Sequence, residues 1–119
     1  MKKIIETSKA PGAIGPYSQG FSFDRLVFTS GQLPLDPTIM AFPEGGIKEQ
    51  TRQSMFNVKA VLEQGGASLE TVPKTTCFLA DMNDFAALNE TYTEFFGTEA
   101  ARLPKDAKVE IEAVAYRLA

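Results

Sequence analysis

The sequence predicts an α+β domain, a single-layer sheet with two helices packed on one face. Three observations carry that prediction. Element signals run in the order βββαβαβ, both helical stretches have one apolar stripe, and the last strand alternates apolar with polar residues. Nothing divides the chain: no internal repeat, low-complexity tract or linker interrupts residues 1–119, so one domain is expected.

Taken in order, residues 3–7 read as a short first strand. The breaker-rich stretch Pro11-Gly12-Ala13-Ile14-Gly15-Pro16 that follows is a loop. Phe21-Ser22-Phe23 and Leu26-Val27-Phe28 are β-prone and separated only by Asp24-Arg25, which predicts a hairpin. The second run is expected to continue to Gln32 and to stop before Pro34, which cannot donate to a ladder. From Ile47 to Gln64, the residues Ile47, Thr51, Met55, Val58 and Leu62 recur at helical spacing. Gly65-Gly66 then offers a left-handed stop. Residues 74–80 are β-prone and mostly apolar, hence a partly buried strand.

Asp81-Met82-Asn83-Asp84 supplies N-caps for a second helix, whose Phe85, Leu88, Tyr92, Phe95 and Phe96 form an aromatic stripe read as core, closed by Gly97. In residues 109–116, Val109, Ile111, Ala113 and Ala115 share one face of a strand, and Glu110, Glu112, Val114 and Tyr116 the other.

Composition narrows the chemistry. There are 119 residues, 12 Lys+Arg against 15 Asp+Glu for a net charge of −3, 44% hydrophobic residues and no His. Without His, a Ser-His-Asp or Cys-His centre and a His-ligated zinc site are excluded. A lone Cys77 can form neither an internal disulfide nor a Cys₄ cluster, which suits a reducing cytosol. No apolar run approaches the roughly 20 residues that span a bilayer, and Met1-Lys2-Lys3 is not followed by the apolar stretch of a secretory signal. No membrane partner and a cytoplasmic location are therefore expected. The acidic balance argues against a nucleic-acid partner, because phosphate binding needs basic excess. Chemistry is left to carboxylates, hydroxyls, amides, Lys and Arg.

Glu110 and Glu112 project from one strand face. Spacing alone favours two solvated charges; the functional alternative places one carboxylate in a cleft to handle a proton or a water. Val114 and Tyr116 on the same face fit an oligomer interface better than a solvated surface. Thr29-Ser30-Gly31 reads first as a strand end with a flexible turn, and alternatively as hydroxyl and backbone donors for a small carboxylate. Gly12-Ala13-Ile14-Gly15 opens no helix and is not a phosphate loop. Asn89-Glu90-Thr91 lies within a helix and is no glycosylation site in an unexported chain. Cys77 falls mid-strand, where a buried inert thiol is the simpler reading.

In combination these strings are specific. Ala13-Ile14-Gly15-Pro16-Tyr17-Ser18-Gln19-Gly20 and Thr29-Ser30-Gly31-Gln32-Leu33-Pro34 resemble N-terminal signatures of the Rid/YjgF family. Gln53-Ser54, Asn57-Val58-Lys59-Ala60-Val61-Leu62 and Lys74-Thr75-Thr76 resemble its middle. Asp81-Met82-Asn83-Asp84-Phe85, Arg102-Leu103-Pro104-Lys105-Asp106 and Val109-Glu110-Ile111-Glu112 complete a resemblance over nearly the whole chain.

The resemblance implies a chorismate-mutase-like (bacillus-type) fold and a homotrimer with clefts between subunits. It implies hydrolytic deamination of reactive enamine/imine acids, such as 2-aminoacrylate and its imine or 2-iminobutanoate, to 2-keto acids and ammonia, with no cofactor and no metal. By the same resemblance, Tyr17 lines the pocket, Ser30 and Gly31 offer donors near the substrate, and Asn89 faces the cleft. Glu110 positions the hydrolytic water and assists its proton transfers, while Glu112 is structural.

One departure matters. Family members carry a Pro-Ala-Arg-Ser-like motif on a strand after the second helix, and its Arg clamps the substrate carboxylate. Here residues 95–104 contain no such motif, and Arg102 belongs to the Arg-Leu-Pro-Lys-Asp string, so it is no substitute. Loss of a charge-assisted clamp is worth about 1.5–3 kcal/mol, or roughly one to two decades in affinity. Two alternatives thereby stay open: a non-catalytic small-molecule-binding or regulatory trimer, and an RNA-cleaving translation inhibitor of the kind attributed to some relatives.

Overall fold

The computed structural model describes residues 1–97 and 109–118. Five strands form one antiparallel sheet: β1 (Lys3–Ile5), β2 (Gly20–Phe23), β3 (Leu26–Thr29), β4 (Lys74–Phe78) and β5 (Glu110–Tyr116), in the spatial order β1-β2-β3-β5-β4. Two helices, α1 (Ile47–Gln64) and α2 (Phe85–Phe96), cover one face. This is the α+β arrangement the sequence predicts, with α1 matching its expected span.

The helices are where they are because their stripes are apolar. Met55, Val58, Val61 and Leu62 of α1 meet Leu88 and Tyr92 of α2 above Val27, Cys77, Ile111, Ala113 and Ala115 of the sheet, all buried. Complete burial of side chains of this size contributes about 1.5–3 kcal/mol each, the main support of the layer. At Gly20 a Cβ would lie 2.6 Å from the Phe28 carbonyl oxygen and 2.8 Å from Val61 Cγ1, so glycine lets α1 approach the sheet closely. The ion pairs Lys48–Glu90 (2.9 Å) and Arg52–Glu94 (3.0 Å) join the helices at the surface, where such pairs add under about 1 kcal/mol.

Element ends differ from the sequence reading in identifiable ways. The first strand stops at Ile5 and the fourth at Phe78, each two residues early. The third ends at Thr29, and Gln32 instead forms an isolated bridge with Ile111. Gly65 stays helical at φ −82, and the left-handed residue that closes α1 is Gly66 at φ +86. Asp24 opens the β2–β3 turn at φ +56, a region Asp tolerates. Ahead of α2, the Asp81 side chain accepts from the Asn83 N–H at 2.9 Å and starts a single 3₁₀ turn, Met82–Asp84.

The face without helices is defined by register. Ile4, Phe21, Phe28 and Val114 pair in one row across four strands; Phe23, Leu26 and Tyr116 form the next. Phe21 and Phe28 stack at 5.1 Å. This face also carries Glu112 opposite Thr76 and Glu110 opposite Phe78. Apart from those carboxylates it is largely apolar, exposed to half-buried, and nothing among the described residues covers it. Among the described residues no helix is long and apolar enough to cross a membrane.

Candidate active site

The site begins with a defect in the ladder between β3 and β5. Phe28 pairs with Val114, and the next bridge is Gln32 with Ile111, so three residues on one strand face two on the other. That is a β-bulge, a device that re-aims side chains and backbone at a sheet edge or active site. Thr29 makes it possible: its Oγ1 accepts from the Ala113 N–H at 2.9 Å.

The bulge brings Gly31 under Glu110. A Cβ on Gly31 would lie 2.1 Å from Glu110 Oε1 and 2.6 Å from its Cδ, so only glycine permits the carboxylate to rest there. The half-buried Glu110 therefore sits against bare backbone. Ser30 is already committed: its N–H donates to the Gln19 carbonyl at 2.9 Å, and its hydroxyl donates to the Ser18 carbonyl at 2.5 Å. The Gly31 N–H has no partner among the described residues. Of the donors expected at this strand end, it is the free one, and the Ser30 hydroxyl oxygen remains an acceptor.

Tyr17 and Gly31 line a common recess of about 30 Å³. One loop segment contributes Pro11, Gly12, Ile14 and Tyr17; the other contributes Gly31, Gln32, Leu33 and Leu35; the buried Gln19 lines it as well. Tyr17 is 51% exposed, and its phenol oxygen accepts from the Ile14 N–H at 3.3 Å, which fixes the ring on its own loop. On its other side Tyr17 borders an open hollow of about 350 Å³ with Glu6, Thr7 and Ser18.

Asn89 is not brought to this recess within one chain. It lies half-buried on α2, its carbonyl accepts from Thr93 Oγ1 at 2.7 Å, and its side chain bonds to none of Tyr17, Ser30, Gly31 or Glu110. Arg102 and the place of the absent Pro-Ala-Arg-Ser-like motif lie outside the described residues. Among the described residues no group of three or more His, Cys, Asp or Glu could hold a metal ion. Cys77 is buried on the helix side, and burial pushes its thiol up to about 11, which leaves it a poor nucleophile.

Sequence reasoning missed three side chains that shape the site. Gln19 and Gln32 are buried carboxamides, and Asn57 is a third, fully buried on α1. Asn57 had a readable signal, since it interrupts the apolar stripe formed by Met55, Val58 and Leu62. Gln19 and Gln32 had none beyond their places in the Tyr17-Ser18-Gln19 and Gly31-Gln32 strings.

Known proteins resemble the chain over nearly its whole length. A family model described as Endoribonuclease L-PSP matches residues 7–117. TdcF of Escherichia coli, named a reactive intermediate deaminase, is 48% identical over 130 aligned positions that cover 100% of both chains. Since this chain has 119 residues, about 11 of those positions face no residue in it. A 2-iminobutanoate/2-iminopropanoate deaminase of Salmonella typhimurium is 48% identical, covering 98% of this chain and 99% of its own. The crystal structure of Escherichia coli TdcF with bound serine superposes with a TM-score of 0.86 at 46% identity, over 98% of this chain and 99% of that one. With a family model spanning almost its whole length and relatives near half identity end to end, the chain belongs to the YjgF/Rid family.

Proposed function

We propose that this protein hydrolyses small 2-imino acids, and their enamine tautomers, to 2-keto acids and ammonia. The observation that carries the reading is the Glu110 carboxylate resting on Gly31 beside the Tyr17 recess. The names of the deaminase relatives support the same chemistry.

In this reading the imine carbon sits near Glu110, and the free Gly31 N–H donates to the substrate's acid group. Glu110 accepts a proton from water as the oxygen adds to C2 of the protonated imine, which gives a carbinolamine. Return of that proton to nitrogen lets the C–N bond break, and ammonia leaves as the hydroxyl yields its proton to Glu110 and the keto acid forms. One carboxylate thus serves as base and then as acid, and no step draws on a cofactor or metal. Tyr17 and the apolar walls hold the short side chain, and Ser30 fixes the bulge.

The homotrimer belongs to the proposal. The uncovered apolar sheet face supports it, because a patch of this kind on a small domain marks an interaction surface. Asn89 reaches a substrate only if its cleft is completed on assembly. A cytoplasmic setting fits an enzyme that acts on short-lived products of amino-acid dehydration.

The test is ammonia release from 2-iminobutanoate generated in situ by threonine dehydratase. The expected outcome is a rate above the uncatalysed one that falls to background in Glu110→Gln. A second reading, a trimer that binds 2-keto acids without turnover, is favoured by the absent Arg-bearing motif. It predicts calorimetric binding of 2-oxobutanoate with no acceleration. RNA cleavage is suggested by the description of the family model and by the endoribonuclease names of some solved relatives, and a net charge of −3 with no His argues against it.

A further inference from the structure

The two walls of the recess are loops, and away from their roots at Ser18-Gln19 and Gln32 each is tied to the rest of the molecule through one buried carboxamide. Gln19, 5% exposed, holds the first wall. Its Oε1 accepts from the Thr7 N–H at 2.7 Å, and its Nε2 faces the carbonyls of Thr7 (3.0 Å), Ala10 (3.1 Å) and Pro11 (2.8 Å). Asn57, fully buried on α1, holds the second. Its Nδ2 donates to the Leu33 carbonyl at 3.0 Å and the Leu35 carbonyl at 2.9 Å, and its Oδ1 accepts from Gln53 Nε2 at 3.0 Å.

At their roots the walls are also held by main-chain contacts, Ser30 to the Ser18 and Gln19 carbonyls and Gln32 to Ile111; beyond those roots the described residues show no other such tie. Within residues 10–17 the remaining hydrogen bonds are internal, from Tyr17 N–H to the Gly15 carbonyl and from Ile14 N–H to the Tyr17 oxygen. Residues 33–35 make none besides those to Asn57, among the described residues. A carboxamide suits both places: it donates and accepts at once, and it brings no charge that burial would penalise. Glu110 and Gly31, in contrast, are held by the ladder and the bulge, independently of either amide.

We propose that Gln19 and Asn57 are the positioning residues of the recess, which set the gap between its walls and thereby its grip on a small 2-keto or 2-imino acid. The inference rests on the reading of the recess as the substrate site. It separates binding from chemistry: loosening a wall weakens the hold on the ligand and leaves the Glu110–Gly31 pair intact.

The test uses Gln19→Glu and Asn57→Asp, which replace each donating NH₂ by oxygen at nearly constant shape, and Gln53→Met, a milder change that removes only the outer bond to Asn57 and keeps the fold. KM and kcat for 2-iminobutanoate are measured together with the Kd of 2-oxobutanoate by NMR titration. Hydrogen exchange is followed over residues 7–17 and 33–36. For the first two variants the expected result is a KM and Kd raised about tenfold or more with kcat within about threefold. Faster exchange is expected in the affected wall alone. Gln53→Met is expected to show the same split, about threefold in KM. Unchanged KM and Kd in the folded variants would overturn the proposal. So would an equal fall in kcat with KM held, or loss of protection over the whole chain. If the wild-type protein shows no turnover, the deaminase reading fails, and the Kd values alone decide the positioning role. If the wild-type protein does not bind 2-oxobutanoate either, the positioning role fails with it.

Discussion

Glu110 and Glu112 are two positions apart on one strand, yet they meet different surroundings. Glu112 lies opposite Thr76 in a regular ladder, while Glu110 leans over a glycine at a bulge. Their shared face was legible from the alternation of residues 109–116. The difference between them was not, because a bulge is a property of register between strands some eighty residues apart in sequence. Replacement of Gly31 by Ala tests the contact. The backbone there is not left-handed, so the substitution is tolerated locally, but the new Cβ must drive the carboxylate away. The expected outcome is a fall of about tenfold or more in kcat/KM with a melting temperature changed by only a few degrees. Steady-state kinetics with thermal denaturation of the same sample checks both.

At the scale of elements, the helices were the most readable part and the strand ends the least. The stripe of α1 and the caps before α2 depend on residues close in sequence, whereas β3 ends where the Thr29 hydroxyl takes a ladder donor of β5. The Asp81 cap was visible in advance, and Asp81→Ala should lower stability by about 1 kcal/mol in urea denaturation. The contact between β4 and α2 was not visible: Thr75 Oγ1 and the Tyr92 hydroxyl share a buried hydrogen bond. Thr75→Val leaves that hydroxyl unpaired and should destabilise by about 1–3 kcal/mol in the same experiment.

Burial gives this layer an alkaline signature. It pushes the Cys77 thiol from 9.0 up to about 11 and the Tyr92 phenol from 10.0 up to about 12, with Thr75 opposing both shifts. Each group holds its proton more tightly folded than unfolded. Stability from this source is therefore complete below about pH 9, declines as pH rises and levels off above about 12. Cys77→Ala should flatten the first part of that decline in a series of melting temperatures.

At the scale of the whole molecule, the helices cover one face of the sheet, and among the described residues nothing covers the other. The row Ile4, Phe21, Phe28 and Val114 is what a second copy would cover, and the notion of an interface was already suggested by Val114 and Tyr116 beside the two Glu residues. Val114→Glu places a charge in that row; on the proposed assembly, sedimentation should show a trimer for the wild-type protein and a monomer for the variant. The absent Arg-bearing motif raises the sharper question of whether this chain turns its substrate over. The most direct measurement compares 2-iminobutanoate hydrolysis by the wild-type protein and by Glu110→Gln. The account predicts clear acceleration by the former and none by the latter. Acceleration that survives the substitution, or its absence in the wild-type protein, would contradict it.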